Sequence, residues 1–318
     1  MTAQDKIPDK EYHAIPFTLD HHEKMNVLFR SAFGTSLTKA AFLKRFDTRA
    51  LGGDVTGYIA IHKASGSPAA YYGVFPVQLS WKGMVFLAAQ SGDTMTHTDH
   101  RKKGLFTWLA KKTYDACTEK GIRLVFGLPN KNSFPGFIRK LNWIQVDEVV
   151  RYDLKQSLPA PPLFKLCARL SLSRSYLSYA TYLLKRLAVD PGADWTNHFP
   201  SAMAKVVRNE AYIKYKQDKD KFFIDVGGII FWIRLSDVFW IGEISDYEKV
   251  TPVIISKLKR IAYRLGYNTI SYHCNVGLNA PFLSGFKKYN TEPSCFLDLD
   301  GSHKDFNIAL TAADFDTW

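Results

Sequence analysis

The spacing of apolar residues changes several times along this chain, and each change marks an element. Across residues 105–120 the spacing is helical. At about 100° per residue, Leu105, Phe106, Leu109, Ala110, Thr113, Ala116 and Cys117 share one arc, while Lys111, Lys112, Asp115, Thr118 and Glu119 take the opposite one. Gly121 stops this helix, and 122–126 has strand character. Upstream the period drops to two: 58–62 ends in the turn Ser65-Gly66-Ser67-Pro68, 69–81 is a second strand, Lys82-Gly83 a tight hairpin turn, and 84–97 a third strand. The pattern predicts an antiparallel meander that runs into a helix and out into a further strand. Ahead of it, 12–18 reads as a first strand, Asp20 caps a helix over 21–33 closed by Gly34, and a second helix over 37–46 follows Thr35 and Ser36.

The second half repeats this order. A shift of 145 positions places Leu105 on Val250, Leu109 on Ile254, Ala116 on Ile261, Lys120 on Leu265, Gly121 on Gly266, Asn130 on Asn275, Phe137 on Phe282 and Leu141 on Phe286. The meander recurs too, as 222–226, a turn at Gly227-Gly228, 229–235 and 238–244. Between the halves, 151–190 reads as a connector: Leu158-Pro-Ala-Pro-Pro162 resists helix formation, and 164–189 forms a helix or a helical pair. Residues 1–10 are polar and expected to be loose. The division expected is 1–153, a basic helical connector over 154–192, and 193–318.

Between the third strand and the long helix stands Arg101-Lys102-Lys103-Gly104. A helix start leaves backbone N–H groups without partners and carries the positive end of the helix dipole. A diphosphate can take up those amides if the turn lets it approach, and Gly104 has no Cβ to obstruct it. The three side chains add full positive charges. In the second half the same place holds Asp246-Tyr247-Glu248-Lys249, two carboxylates and no glycine, so anion binding is expected in the first half only. The alternative reading of the basic run is a solvated helix start with no ligand.

Arg101-Lys-Lys-Gly104-Leu-Phe106 resembles the acyl-coenzyme A motif of the GNAT acyltransferase superfamily, Arg/Gln-x-x-Gly-x-Gly/Ala, with Phe106 in place of the last small residue. His97-x-x-x-Arg101, Phe126-Gly-x-Pro129-Asn130 and Lys140-Leu-Asn-Trp143 extend the likeness. The resemblance implies an α/β (α+β) fold of two tandem GNAT-like domains, the second degenerate, each a mixed, mostly antiparallel twisted sheet flanked by helices. It implies acetyl-coenzyme A or another acyl-coenzyme A as co-substrate, no metal, and direct transfer to the amine of a small acceptor, an amino sugar of surface-polysaccharide biosynthesis by analogy. Coenzyme contacts would fall on Thr94 and Thr96, where the strand splays from its neighbour to admit the pantetheine arm. They would continue through Arg101, Lys102, Lys103, Gly104, Leu105 and Phe106 to Asn130, whose other reading is a turn residue after Pro129. The two helices after the first strand would border the acceptor. The tyrosine that many members use to protonate the departing thiolate falls on Ile138. The tail 310–318 resembles the end of some double-GNAT chains; Asp314 and Asp316 either bind a cationic acceptor or belong to a solvated terminus.

Catalysis of direct transfer needs a neutral amine beside the thioester and donors aimed at its oxygen, one of which a backbone N–H near Thr96 would supply. Asp93 and His97, on or beside the bordering strand, are the candidate bases. Their alternatives are a bulge or turn residue for Asp93 and a backbone-bonded strand histidine for His97.

Composition narrows the partners. The 318 residues are 46% hydrophobic and 23% charged, with a net charge of +12, as expected of a globular protein that meets anions. No nucleic-acid motif is present, so no specific nucleic acid is expected. Cys117, Cys167, Cys274 and Cys295 are scattered without a Cys-x-x-Cys pair, so neither a disulfide framework nor a zinc site is indicated. Without an apolar run of roughly 20 residues or a signal-peptide core, a cytoplasmic location is expected. From Lys155 to Val189 the chain has six Lys or Arg and no acid, which fits either a membrane-surface contact through 164–189 or a basic interdomain helix. Two rival classes remain: an aminoacyl-tRNA dependent transferase of the Fem type, and a non-catalytic protein that holds coenzyme A.

Overall fold

The computed structural model describes residues 8–192, 195, 202–275, 280–316 and 318, so the looseness expected of 1–10 lies, for 1–7, outside the described residues. The chain forms two compact units that interleave along the sequence. The first comprises Met1–Val146 and Pro293–Phe306, the second Asp147–Glu292 and Asn307–Trp318.

The first unit runs β1 (Tyr12–Pro16), α1 (His22–Phe33), α2 (Lys39–Phe46), β2 (Thr56–His62), β3 (Pro68–Trp81), β4 (Met84–Thr96), α3 (Leu105–Glu119), β5 (Leu124–Gly127) and α4 (Phe134–Leu141). Its strands follow the order β1-β2-β3-β4 in antiparallel pairs, and β5 then joins β4 in parallel. On the far side of β5, Leu124–Gly127 pairs antiparallel with residues 295–298, a stretch from late in the chain. Side chains alternate along β3. Tyr72 and Val74 join a core with Leu105, Leu109 and Phe137 from α3 and α4, while Tyr71 and Phe75 join a second core with Met25, Leu28, Phe42 and Phe46 from α1 and α2. Helices therefore cover both faces of the sheet. The second helix begins later than its sequence suggested, because Thr38, not Thr35 or Ser36, accepts from the Ala41 N–H at 3.2 Å.

The second unit takes β6 (Ile144–Lys155) from Asp147 onward, α5 (Leu163–Arg169), α6 (Ser173–Leu184), β7 (Ala204–Val206), α7 (Glu210–Lys216), β8 (Lys221–Asp225), β9 (Ile230–Leu235), β10 (Phe239–Ile244), α8 (Pro252–Arg264), β11 (Thr269–Asn275), part of β12 (Lys287–Asp298) and β13 (Ile308–Ala309). β8, β9 and β10 form an antiparallel meander, β11 joins β10 in parallel, and β6 closes the row against β11 in antiparallel register. Each unit thus carries a meander, a helix ending at a left-handed glycine (Gly121, φ 74°; Gly266, φ 82°), a parallel strand, and a final antiparallel partner.

Residues 151–155, read from sequence as the start of a connector, belong instead to β6. Val150, just before them, and Tyr152 and Leu154 alternate into the core, and residues 149–155 hold the whole ladder with Thr269–Asn275. That pairing starts the second unit at Asp147, and the pairing of 295–298 with β5 is why the units interleave where contiguous segments were expected. Among the described residues no helix is long and apolar enough to cross a membrane.

His273, on β11, is enclosed between Trp240 and Phe315, and its Nε2 is buried without a hydrogen-bond partner. Burial, aided by the nearby Arg151 charge, lowers its pKa to about 4 from an ordinary 6.5. The folded state then resists a proton that the unfolded chain accepts, so stability is full above pH about 6.5 and falls as pH drops towards 4. The full effect is roughly 3 kcal/mol. In urea titrations across that range, His273→Gln is expected to lose less stability on acidification than the parent chain.

Candidate functional site

β4 and β5 share only two residue pairs, Ala89 with Val125 and Gln90 with Phe126. Beyond them β5 ends at Gly127, which lies against Ser91, while β4 continues to Thr96, so a gap opens beside the backbone beyond Ser91, where β4 has no β5 partner. β4 is also bulged here. Its residues 92–95 stand opposite 71–73 of β3, and Asp93 takes the extra place in the left-handed region (φ 51°). The bulge is pinned from α2: Arg45 donates from Nε to Asp93 Oδ2 at 2.5 Å and from Nη2 to Oδ1 at 2.6 Å, with the Asp93 side chain only 7% exposed. Both carboxylate oxygens are engaged, which suits a positioning residue better than a base. The bulge reading of Asp93 is the one the geometry carries.

His97 ends the strand and caps the turn after it. Its Nδ1 accepts from the Asp99 N–H at 3.3 Å, so that lone pair is engaged in the cap. The following loop is held by Ser31, whose Oγ accepts from the Thr98 N–H at 3.0 Å. The Tyr12 hydroxyl lies 2.9 Å from Nδ1 of His100, a ring that burial, together with His62 and His97, keeps below its ordinary pKa.

Arg101, Lys102, Lys103 and Gly104 are all exposed. Lys103 reaches Glu11 at 3.2 Å. Gly104 is the residue before the first turn of α3, at φ 76°, a conformation that a side chain would strain, and no side chain caps the helix. The amides of the first turn therefore open to solvent beside three cations. Leu105 turns inward as a core residue. Phe106, the departure from the small residue of the motif, turns away from the loop and packs edge-on to Phe137 and Tyr72 at 5.1 and 5.7 Å between ring centres. α4 makes room for it with Gly136, where a Cβ would stand 2.9 Å from the Phe106 ring.

Asn130 forms a turn: its Oδ1 accepts from the N–H groups of Asn132 and Ser133 at 3.0 and 3.1 Å. Ile138 sits half-buried on α4 against the core and brings no hydroxyl. A hydroxyl chain that no local sequence pattern signals lies at the root of the gap instead. Half-buried Ser91 donates to the Tyr72 hydroxyl at 3.1 Å, Tyr72 and Tyr114 hydroxyls lie 2.8 Å apart, and Trp143 Nε1 donates to Tyr114 at 2.9 Å. Burial raises the pKa of both tyrosines, so they stay protonated. Thr94 and Thr96 lie on the open stretch, with Thr96 opposite Ala70 of β3.

The second unit treats the same places differently. At the start of α8, Thr251 accepts from the Ile254 N–H at 3.4 Å, and Pro252 has no N–H to offer. Asp246 bonds the Glu248 and Lys249 amides and pairs with the Lys249 ammonium at 2.7 Å. Where β10 bulges at Gly242, the chain's own Trp318 packs so closely that a Cβ there would stand 2.2 Å from its ring. The tail is anchored by fully buried charges: Arg208 donates to Asp314 at 2.6 and 3.0 Å and to Glu243. Asp314 is therefore neither solvated nor open to a cationic acceptor.

Asp298, Asp300 and His303, the one group of potential metal ligands among the described residues, bond within a turn in which Asp298 accepts from the N–H groups of Asp300, Gly301 and His303.

Residues 13–146 match the model of the acetyltransferase (GNAT) domain family. No curated protein matches the sequence. Among solved structures, a conserved protein of unknown function from Enterococcus faecalis V583 superposes with a TM-score of 0.59 at 12% identity, over 91% of this chain and 73% of its own. A GCN5-related N-acetyltransferase from Kribbella flavida gives 0.56 at 13% identity over 91% and 71%, and one from Anabaena variabilis gives 0.56 at 10% over 91% and 73%.

The Phe106–Gly136 contact makes a prediction about stability. Gly136→Val should cost roughly 1–3 kcal/mol in urea denaturation through overpacking. Adding Phe106→Ala should cost less than the two single changes summed, since removing the ring relieves the clash.

Proposed function

We propose that this chain, a GNAT-type acyltransferase by its domain over residues 13–146, carries an acyl group, acetyl first among them, from acyl-coenzyme A to the amine of a small acceptor at the gap beside β4. The observation that supports this most directly is the open start of α3. Free amides, an unobstructed glycine and three exposed cations together fit a diphosphate. The acceptor class, amino sugars, rests on the sequence resemblance. Two tandem domains, of which the second binds no coenzyme, account for the capped start of α8 and the tail packed on Gly242.

Arg101, Lys102, Lys103 and the amides from Gly104 onward hold the diphosphate, and the 91–96 backbone edge takes the pantetheine arm. The bulge at Asp93, fixed by Arg45, aims a backbone N–H at the thioester oxygen, where negative charge develops as the amine nitrogen attacks the carbon. The amine enters neutral and gives up its proton to water, because Asp93 and His97 are both engaged. As the carbon–sulfur bond breaks, Ser91, held in place by its hydrogen bond to the Tyr72 hydroxyl, turns its proton to the sulfur and takes back from water the proton the amine released. This answers the loss of a hydroxyl at Ile138.

Calorimetry tests the cradle. Acetyl-coenzyme A should raise the melting point, by about 2.7 kcal/mol of added stability at about 100 times Kd. Arg101→Glu should weaken binding at least about tenfold, two unlike charges and their reversal being worth more than 1.4 kcal/mol beside a diphosphate; unchanged affinity would refute the assignment. For the acid, Ser91→Ala should lower kcat about 100-fold or more, and Tyr72→Phe should lower it less, each with acetyl-coenzyme A affinity retained, measured by thiol release with a panel of amines including amino sugars. The deficit should shrink at pH above about 8.5, where the thiolate needs no proton. Equal losses at all pH values would remove Ser91 from this role.

A further inference from the structure

We propose that the turn joining α5 to α6 docks on the surface of an anionic lipid bilayer. This stands apart from acyl transfer and from the site in the first unit. α5 buries none of its residues fully; Leu163, Phe164 and Cys167 rest against the core of the second unit, and Lys165, Leu166, Ala168 and Arg169 face water. On that wet side Leu166 is 53% exposed, Leu170 60% and Leu172 46%. These three are adjacent in space. The Leu170 N–H donates to the Leu166 carbonyl at 3.1 Å, the Leu172 N–H to the Cys167 carbonyl at 2.7 Å, and Ser171 between them is in the left-handed region (φ 58°), which makes the turn tight.

Single exposed leucines are ordinary on a protein surface, but three on one helical turn and its exit are a patch. Lys165, Arg169 and Arg174, all exposed, alternate with them, and no acid occurs between residues 154 and 189. Leucines that gain from leaving water, set among cations on a stretch that carries no carboxylate of its own, match the headgroup and upper acyl region of a negatively charged leaflet. The helix is seven residues long, so it lies on such a surface and does not enter as a span.

The test uses the full chain and sedimentation with vesicles of phosphatidylcholine alone or with about one-third phosphatidylglycerol. The anionic vesicles should carry the protein down, and binding should weaken steeply with salt. Leu166→Ser with Leu170→Ser should reduce binding at least tenfold, and Arg169→Glu with Arg174→Glu should do the same. All four positions are exposed, so circular dichroism and coenzyme affinity should be unchanged. Three results would each overturn the proposal: no sedimentation with anionic vesicles, equal binding to both vesicle types, or binding untouched by the leucine pair. So would a gel-filtration dimer that the leucine pair converts to monomer, since a second copy would then cover the patch.

Discussion

Two residue pairs hold β4 to β5, and the acyl transfer proposed for the first unit depends on there being no more. A parallel strand must be reached through a crossover, here α3, and the place where the crossover leaves the sheet is where backbone groups remain open. Longer pairing would have closed the edge of 91–96. The bulge at Asp93 turns β4 out of line, and the two-pronged contact with Arg45 fixes that turn from the opposite face of the sheet. A charged pair of this kind, with its carboxylate almost wholly buried, is costly to break from one side, so it serves as a rigid peg for a stretch of backbone that has no strand beside it.

The same plan appears in the second unit with its openings shut. Its helix after the meander starts at a threonine cap and a proline, and its bulge lies under Trp318. The buried group of Arg208, Glu243 and Asp314 ties the tail in place. Helix starts of like position thus differ in what they leave open, through a few side chains: an uncapped glycine with cations in one unit, a self-satisfied cap with acids in the other.

Local signals carried much of this in the sequence. The meander, α3 and its stop at Gly121 were legible because each depends on neighbours a few residues away, and so was the contrast between Arg101–Gly104 and Asp246–Lys249. What escaped depended on distant partners. Nothing near Asp93 reveals Arg45, and nothing near Phe106 reveals Gly136. Residues 151–155 looked like a connector because their partner strand, Thr269–Asn275, lies far along the chain, although Val150, Tyr152 and Leu154 already alternated. Ser91, Tyr72, Tyr114 and Trp143 come from four different stretches, so only the fold assembles their hydroxyl chain.

The most direct examination of this account is a crystal structure with coenzyme A bound. The diphosphate oxygens should lie within hydrogen-bonding distance of the amides where α3 begins, with the pantetheine arm along 91–96 and one molecule per chain. A coenzyme lodged at the start of α8, or a diphosphate gripped by side chains alone and away from α3, would contradict it.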